Sequence, residues 1–133
     1  MRLSEGVGAF SAILIALVPI NTKREARTMI PCTPSIEPAI TVTVADAQTG
    51  TPLRATIVVT DGNFTEELNL RGVTAAGQVI YGGAFERPGV YTVRVSREGY
   101  ETSTLKDIKV TKDRCHVETR NIKVTLKKSG NRR

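Results

Sequence analysis

The sequence predicts an all-β fold, a seven-stranded antiparallel β-sandwich, on three observations. Apolar residues alternate with polar ones at period two through residues 39–128. Gly, Pro, Asn and Asp clusters punctuate that alternation at short intervals. No amphipathic stretch of helical period competes with the strands.

Each element follows from its local pattern. Ala39–Asp46 (AITVTVAD) sets Ile and Val against Thr and predicts the first strand, closed by the turn Gln48-Thr49-Gly50-Thr51-Pro52. Leu53–Thr60 is the second, and Asp61-Gly62-Asn63 is the strongest hairpin signal in the chain. Phe64–Leu70 is the third, followed by a glycine-containing loop over Arg71–Gly77. Gln78–Phe85 is a fourth, weaker strand in which Gly82-Gly83 predicts a bulge or bend. After Arg87-Pro88-Gly89, Val90–Ser96 places Tyr91, Val93 and Val95 on the face best suited to the core. Tyr100–Thr111 and His116–Lys127 close the domain, the last with Val117, Ile122, Val124 and Leu126 as its apolar set.

The 133 residues leave room for one domain. A hydrophobic content of 40% is that of an ordinary globular chain. Aromatics are few and Trp is absent, so deep stacking platforms for sugars or bases are scarce. The net charge of +6 is concentrated late: Lys106–Arg133 holds ten Lys or Arg against Asp107, Asp113 and Glu118. That excess suits an anionic partner, whether cell-wall polymer, lipid headgroup or nucleic acid. It equally suits a solvated strand face with a basic tail, because bulk charge governs encounter and solubility before it specifies a site. Nucleic acid is not expected as a partner, since the basic residues are not interleaved with aromatics and no nucleic-acid-binding motif occurs.

Ala9–Ile20 (AFSAILIALVPI) is a twelve-residue apolar run behind a short start containing Arg2. A membrane span needs about 20 residues, whereas a secretory leader needs about this many. Glu5 and the stretch Asn21–Arg27, which lacks a pair of small residues, depart from the leader pattern. An uncleaved anchor, or a start placed too far upstream, would also account for the run. The expected organisation is a signal-peptide-like leader over 1–28, a linker over 29–38, the sandwich over 39–128 and a basic tail over 129–133. The expected location is extracytoplasmic: secreted, periplasmic or in the cell envelope. A membrane is a partner only through the leader if that remains uncleaved.

Cys32 precedes the first strand and Cys115 the last. In an exported domain two cysteines suggest one disulfide, closing a loop of about 80 residues, worth on the order of 4 kcal/mol by chain entropy. Cys32 as a lipid-modified terminus is a second reading, against which Met29-Ile30-Pro31 lacks the small residues lipidation favours. A metal site is not expected. Cys32, Cys115 and His116 would supply three ligands, and strand neighbours 115 and 116 point to opposite faces.

The run Val42-Thr43-Val44-Ala45-Asp46-Ala47-Gln48-Thr49-Gly50-Thr51-Pro52-Leu53 resembles the opening of the carboxypeptidase regulatory-like domains, where a strand ends in Asp, turns through Thr-Gly and resumes after Pro. Arg87-Pro88-Gly89-Val90-Tyr91-Thr92-Val93-Arg94-Val95 is similar to that family's Pro-Gly-x-Tyr-x-Val-x-Val strand, and Glu98-Gly99-Tyr100 to its Gly-Tyr turn. Lys106–Thr111 and Val117–Leu126 match the two closing strands, so the resemblance covers about residues 39–127. It implies a transthyretin-like sandwich, grouped with carbohydrate-binding-like folds, carried mostly by extracytoplasmic proteins as an appendage, and a bacterial host. The zinc-bearing catalytic domain of such parents has no counterpart in these residues. Fold analogy alone does not deliver function.

The residues also bear on catalysis. With His116 as the one histidine, a Ser/His/acid triad or a His-rich zinc centre is not expected. Hydroxyisourate hydrolases share the transthyretin-like sandwich but depend on several histidines and a terminal Tyr-Arg-Gly-Ser, whereas this chain ends Lys128-Ser129-Gly130-Asn131-Arg132-Arg133. Glu66 and Glu67 point to opposite faces of a strand and are no glycosidase pair. The expectation is a non-catalytic binding or adhesion module without cofactor or metal, for carbohydrate or another cell-envelope polymer. The contact surface is expected at the loops Arg71–Gly77 and Gly82–Arg87, and the candidate contact residues are Tyr81, Phe85, Arg87 and Tyr100. The alternative is a structural or accessory subunit that pairs with an envelope protein through a sheet edge. A monomer is expected.

Overall fold

The computed structural model describes residues 31–130. The chain divides into two units, Met1–Cys32 and Thr33–Arg133, and the sandwich is the second. The expected leader and the first two residues of the linker lie outside the described residues, as do the last three of the tail.

Eight strands form two four-stranded sheets: β1 (Ile40–Asp46), β2 (Thr56–Asp61), β3 (Phe64–Glu67), β4 (Asn69–Val73), β5 (Val79–Gly83), β6 (Gly89–Ser96), β7 (Ser103–Val110) and β8 (Arg120–Leu126). Sheet A has the order β4-β5-β1-β8 and sheet B the order β3-β2-β6-β7. The eighth strand arises because the predicted third strand divides at Leu68. That residue turns its side chain into the core and donates its N–H to Ile57 O at 2.8 Å, so the chain leaves sheet B and enters sheet A. The sandwich is also not wholly antiparallel. β1 and β8 run parallel from Ile40↔Arg120 to Asp46↔Leu126, because the chain crosses between sheets four times before its last strand returns beside its first.

Period-two patterning positions the core. In β1, Ile40, Val42 and Val44 are buried while Thr41 and Thr43 stay half-exposed. In β6, Tyr91, Val93 and Val95 are fully buried. Ile57 and Val59 from β2 and Val124 and Leu126 from β8 meet them from the two sheets. Burial of these apolar side chains is the main favourable term, each contributing about 1.5–3 kcal/mol. The predicted hairpin joins β2 to β3, with Gly62 at φ +61°, the positive value that hairpin turns require at their first central residue. The glycine pair does not interrupt a strand. β5 ends at Gly83, and the register irregularity lies opposite, between Leu70 and Gly72 of β4.

Cys32 and Cys115 are joined in a disulfide. Such bonds are characteristic of oxidising compartments.

Candidate functional site

The outward face of sheet A carries a groove built on three adjacent strands. Because β1 alternates, Thr41 and Thr43 project away from the core. The parallel register sets Thr41 beside Asn121 and Thr43 beside Lys123, and the antiparallel register sets Thr41 beside Gly82. Together with Gln78, Ile80 and Ile122 these side chains line a groove of about 250 Å³. Thr41 Oγ1 donates to Asn121 Oδ1 at 2.5 Å, which leaves the Asn121 NH2 as a donor to the groove. The groove is thus mostly apolar in surface, with hydroxyl and amide groups set along it. Such a lining matches a ligand that alternates hydroxyls with C–H surface.

Beside the groove, Gly82 of β5 is covered from β4. A Cβ on Gly82 would stand 3.1 Å from Arg71 Cγ, so the Arg71 stem lies directly over that glycine. The Arg71 guanidinium then sits 4.9 Å from the centroid of the Phe85 ring, a cation–π distance.

The segment after β5 is held in a costly backbone conformation. Ala84 and Glu86 have φ of 53° and 54°, a region that residues with a Cβ seldom adopt. Carboxylates from different parts of the fold secure it. Glu66 of β3 accepts from Ala84 N at 3.2 Å, and the Glu86 carboxylate accepts from Glu37 N at 2.9 Å and Val117 N at 3.2 Å. Asp61 at the end of β2 pairs with Arg87 at 3.0 Å. Phe85 is therefore presented by a fixed loop.

The four expected contact residues do not converge. Phe85 reaches the margin of the groove through Arg71. Arg87 is engaged at the end of the sandwich, where its guanidinium meets the Tyr91 hydroxyl and Asp61 and lies 4.0 Å over the Phe64 ring. The hydrogen bond to Tyr91, then that to Asp61, raises its pKa further. Tyr81 is only 7% exposed, with its ring in the core and its hydroxyl accepting from Ala55 N at 3.0 Å. Tyr100 sits at the opposite end, where its hydroxyl donates to Asp46 Oδ2 at 2.7 Å. The groove residues escaped attention in the sequence because their signal is only the polar half of each alternation, and that half becomes a surface once β8 is known to lie beside β1.

His116 occupies an arrangement like that of a hydrolytic triad. Its Nδ1 is 2.7 Å from Glu86 Oε2 and its Nε2 is 3.1 Å from Thr33 Oγ1. The Glu86 hydrogen bond raises the His116 pKa, while the Glu37 N–H followed by His116 lowers that of Glu86. An acyl-transfer site also needs N–H groups directed at a developing oxyanion. Here the Glu37 and Val117 N–H groups are committed to Glu86, and those of Cys115 and His116 to Asp113 Oδ1. The imidazole clasps the approach to β1 onto the β5–β6 connection.

Among the described residues no group of three or more His, Cys, Asp or Glu side chains is arranged to hold a metal ion. No protein-family model matches the chain, and no curated protein matches it.

Proposed function

We propose that this chain is an extracytoplasmic binding module of the carboxypeptidase regulatory-like, transthyretin-like class, and that the outward face of sheet A takes a polyhydroxylated cell-envelope polymer. The observation that carries the reading is the groove itself, where Thr41, Thr43, Gln78 and Asn121 offer donors and acceptors around Ile80. Sugars present the same mixture of hydroxyls and C–H faces, and a sheet face holds such groups on rigid strands. Electrophoresis through gels containing soluble envelope polysaccharides tests it. Retardation by at least one polymer is expected, and Thr41→Val with Thr43→Val is expected to weaken binding by about tenfold, near 1.4 kcal/mol. Unchanged affinity in that double variant would sink the assignment of the face.

The family reading is supported by how two of the resembling motifs meet. The Asp46 carboxylate that ends the strand of the first motif accepts from Gln48 N and Thr49 N and so closes the Thr-Gly turn, with Gly50 at φ +77°. Tyr100 of the Gly-Tyr turn donates to the same carboxylate, and Gly99 stands at φ +88°. The disulfide favours an extracytoplasmic setting.

A second reading is a subunit that pairs through a sheet edge. It is favoured by β4, the edge of sheet A, where Leu70 is 46% and Val73 56% exposed. Pull-down from host envelope extract under non-denaturing conditions separates the two. A stoichiometric protein partner lost in Leu70→Lys would favour the edge, and polymer binding that survives Leu70→Lys would favour the groove.

A further inference from the structure

We infer that the polymer taken by the outward face of sheet A is acidic, a glycan bearing carboxylate or phosphate groups. The inference rests on the reading of that face as a polymer-binding surface and specifies the chemistry of its ligand.

Charge is distributed unequally between the two sheets. The strands of sheet A contain Arg71, Arg120 and Lys123, against Asp46 as their one acid. Asp46 is only 4% exposed and points inward, with its oxygens engaged by Tyr100, Gln48 and Thr49. The strands of sheet B carry Asp61, Glu66, Glu67 and Asp107 together with Arg94, Lys106 and Lys109, so acids and bases are mixed there. A negatively charged chain approaching the sandwich therefore meets cations without an exposed acid among the strands of sheet A, and mixed charges on those of sheet B.

Within sheet A the cations differ in what they face. Arg120 is turned toward β7, where its guanidinium donates to Lys109 O at 2.9 Å. Lys123 lines the groove, whose other lining residues are uncharged. The two ion pairs among the described residues, Arg87–Asp61 and His116–Glu86, lie elsewhere. Arg71 stands at the far margin, stacked on Phe85 with its fork of N–H donors directed from a fixed position. From β4 to β8 is three strand spacings, roughly 14 Å. Two positive charges at that separation, with hydroxyl and amide groups between them, suit charges repeated along a polymer. The hydroxyls of such a chain would meet Thr41, Thr43 and Asn121, and its acidic groups Lys123 and Arg71.

The test uses the oxidised full-length chain and three probes: polygalacturonate, the same polymer with its carboxyl groups reduced to alcohols, and a poly(glycerol phosphate). Affinities are measured at two salt concentrations. Polygalacturonate or the phosphate polymer is expected to bind at least about tenfold more tightly than the reduced polymer, and the preference between them identifies the acidic group. Binding is expected to weaken with salt. Lys123→Gln is expected to lose about tenfold in affinity, whereas Lys106→Gln, the same charge change on an exposed residue of sheet B, is expected to lose less than about twofold. Circular dichroism of both variants guards against misfolding, which is not expected for exposed strand positions. Equal binding of the reduced polymer would overturn the inference and leave the polymer-binding reading intact. Equal losses in the two lysine variants would overturn it in favour of diffuse charge attraction. Failure of charged and neutral polymers alike would overturn both.

Discussion

The Tyr100 hydroxyl donates to Asp46 Oδ2 at 2.7 Å and thereby ties the end of β1 in sheet A to the turn that joins β6 and β7 in sheet B. The bond is the largest cause that lowers the Asp46 pKa from 3.8 to about 2, with the Thr49 and Gln48 N–H groups adding to it. The same bond raises the pKa of Tyr100. A carboxylate depressed in this way stabilises the fold above its ordinary pKa, and that stability is lost as pH falls through the folded value. Acid unfolding is therefore expected to sharpen between pH 3.8 and about 2. Tyr100→Phe is expected to raise the Asp46 pKa toward its ordinary value and move acid unfolding to higher pH, read by carboxyl NMR titration and circular dichroism. An unchanged Asp46 titration would show that the two backbone N–H groups suffice.

The His116–Glu86 clasp has its own pH window. The raised His116 pKa contributes stability fully present below the ordinary 6.5 and lost as pH rises through the folded value. The lowered Glu86 pKa contributes stability present above the ordinary 4.5 and lost as pH falls. Their joint contribution is greatest between those two values. Melting temperatures of the native chain and His116→Ala, taken from pH 4 to 9, are expected to differ most in that window and to converge toward alkaline pH. A constant difference across the range would mean that His116 acts by packing alone.

The disulfide is expected to contribute about 2–5 kcal/mol. Cys115→Ala, or reduction of the native bond, is then expected to lower the melting temperature by roughly 10 °C or more for a domain of this size. A shift of only about a degree would place the stability of the sandwich almost entirely in its core.

Gly83 leaves room for the bond that holds the β5–β6 connection. A Cβ there would stand 2.5 Å from Glu66 Oε2 and 2.8 Å from Leu68 Cδ2, both ends of flexible side chains. Gly83→Ala is expected to displace the Glu66 carboxylate from Ala84 N–H and cost about 1–3 kcal/mol. In a double-mutant cycle with Glu66→Ala the two losses should not add, because either change alone removes the same bond. Additive losses would locate the cost of the methyl group elsewhere.

Strand positions were the most legible part of the sequence, because alternation is a local signal. Tyr91, Val93 and Val95 were readable as core from β6 alone, and all three are fully buried. The parallel pairing of β1 with β8 was not legible, since it is set by four sheet crossings and by no local motif. For the same reason the contact between Thr41 and Asn121 was not legible, their residues being brought together only by that pairing. Tyr81 and Tyr100 show a different failing. Aromatics with a hydroxyl read as surface contacts, but each here directs its polar tip to an internal partner, Ala55 N and Asp46 respectively. Glu66 was read correctly as pointing away from Glu67, but its bond to Ala84 N spans two sheets and leaves no trace in spacing.

Amide chemical-shift mapping of the folded domain during titration with polygalacturonate oligomers tests whether the outward face of sheet A is the binding surface. Perturbations are expected to cluster at Thr41, Thr43, Ile80, Asn121 and Lys123 and to extend to Arg71 and Phe85. Saturable shifts confined to sheet B, or to the Asp46–Tyr100 end of the sandwich, would contradict that assignment.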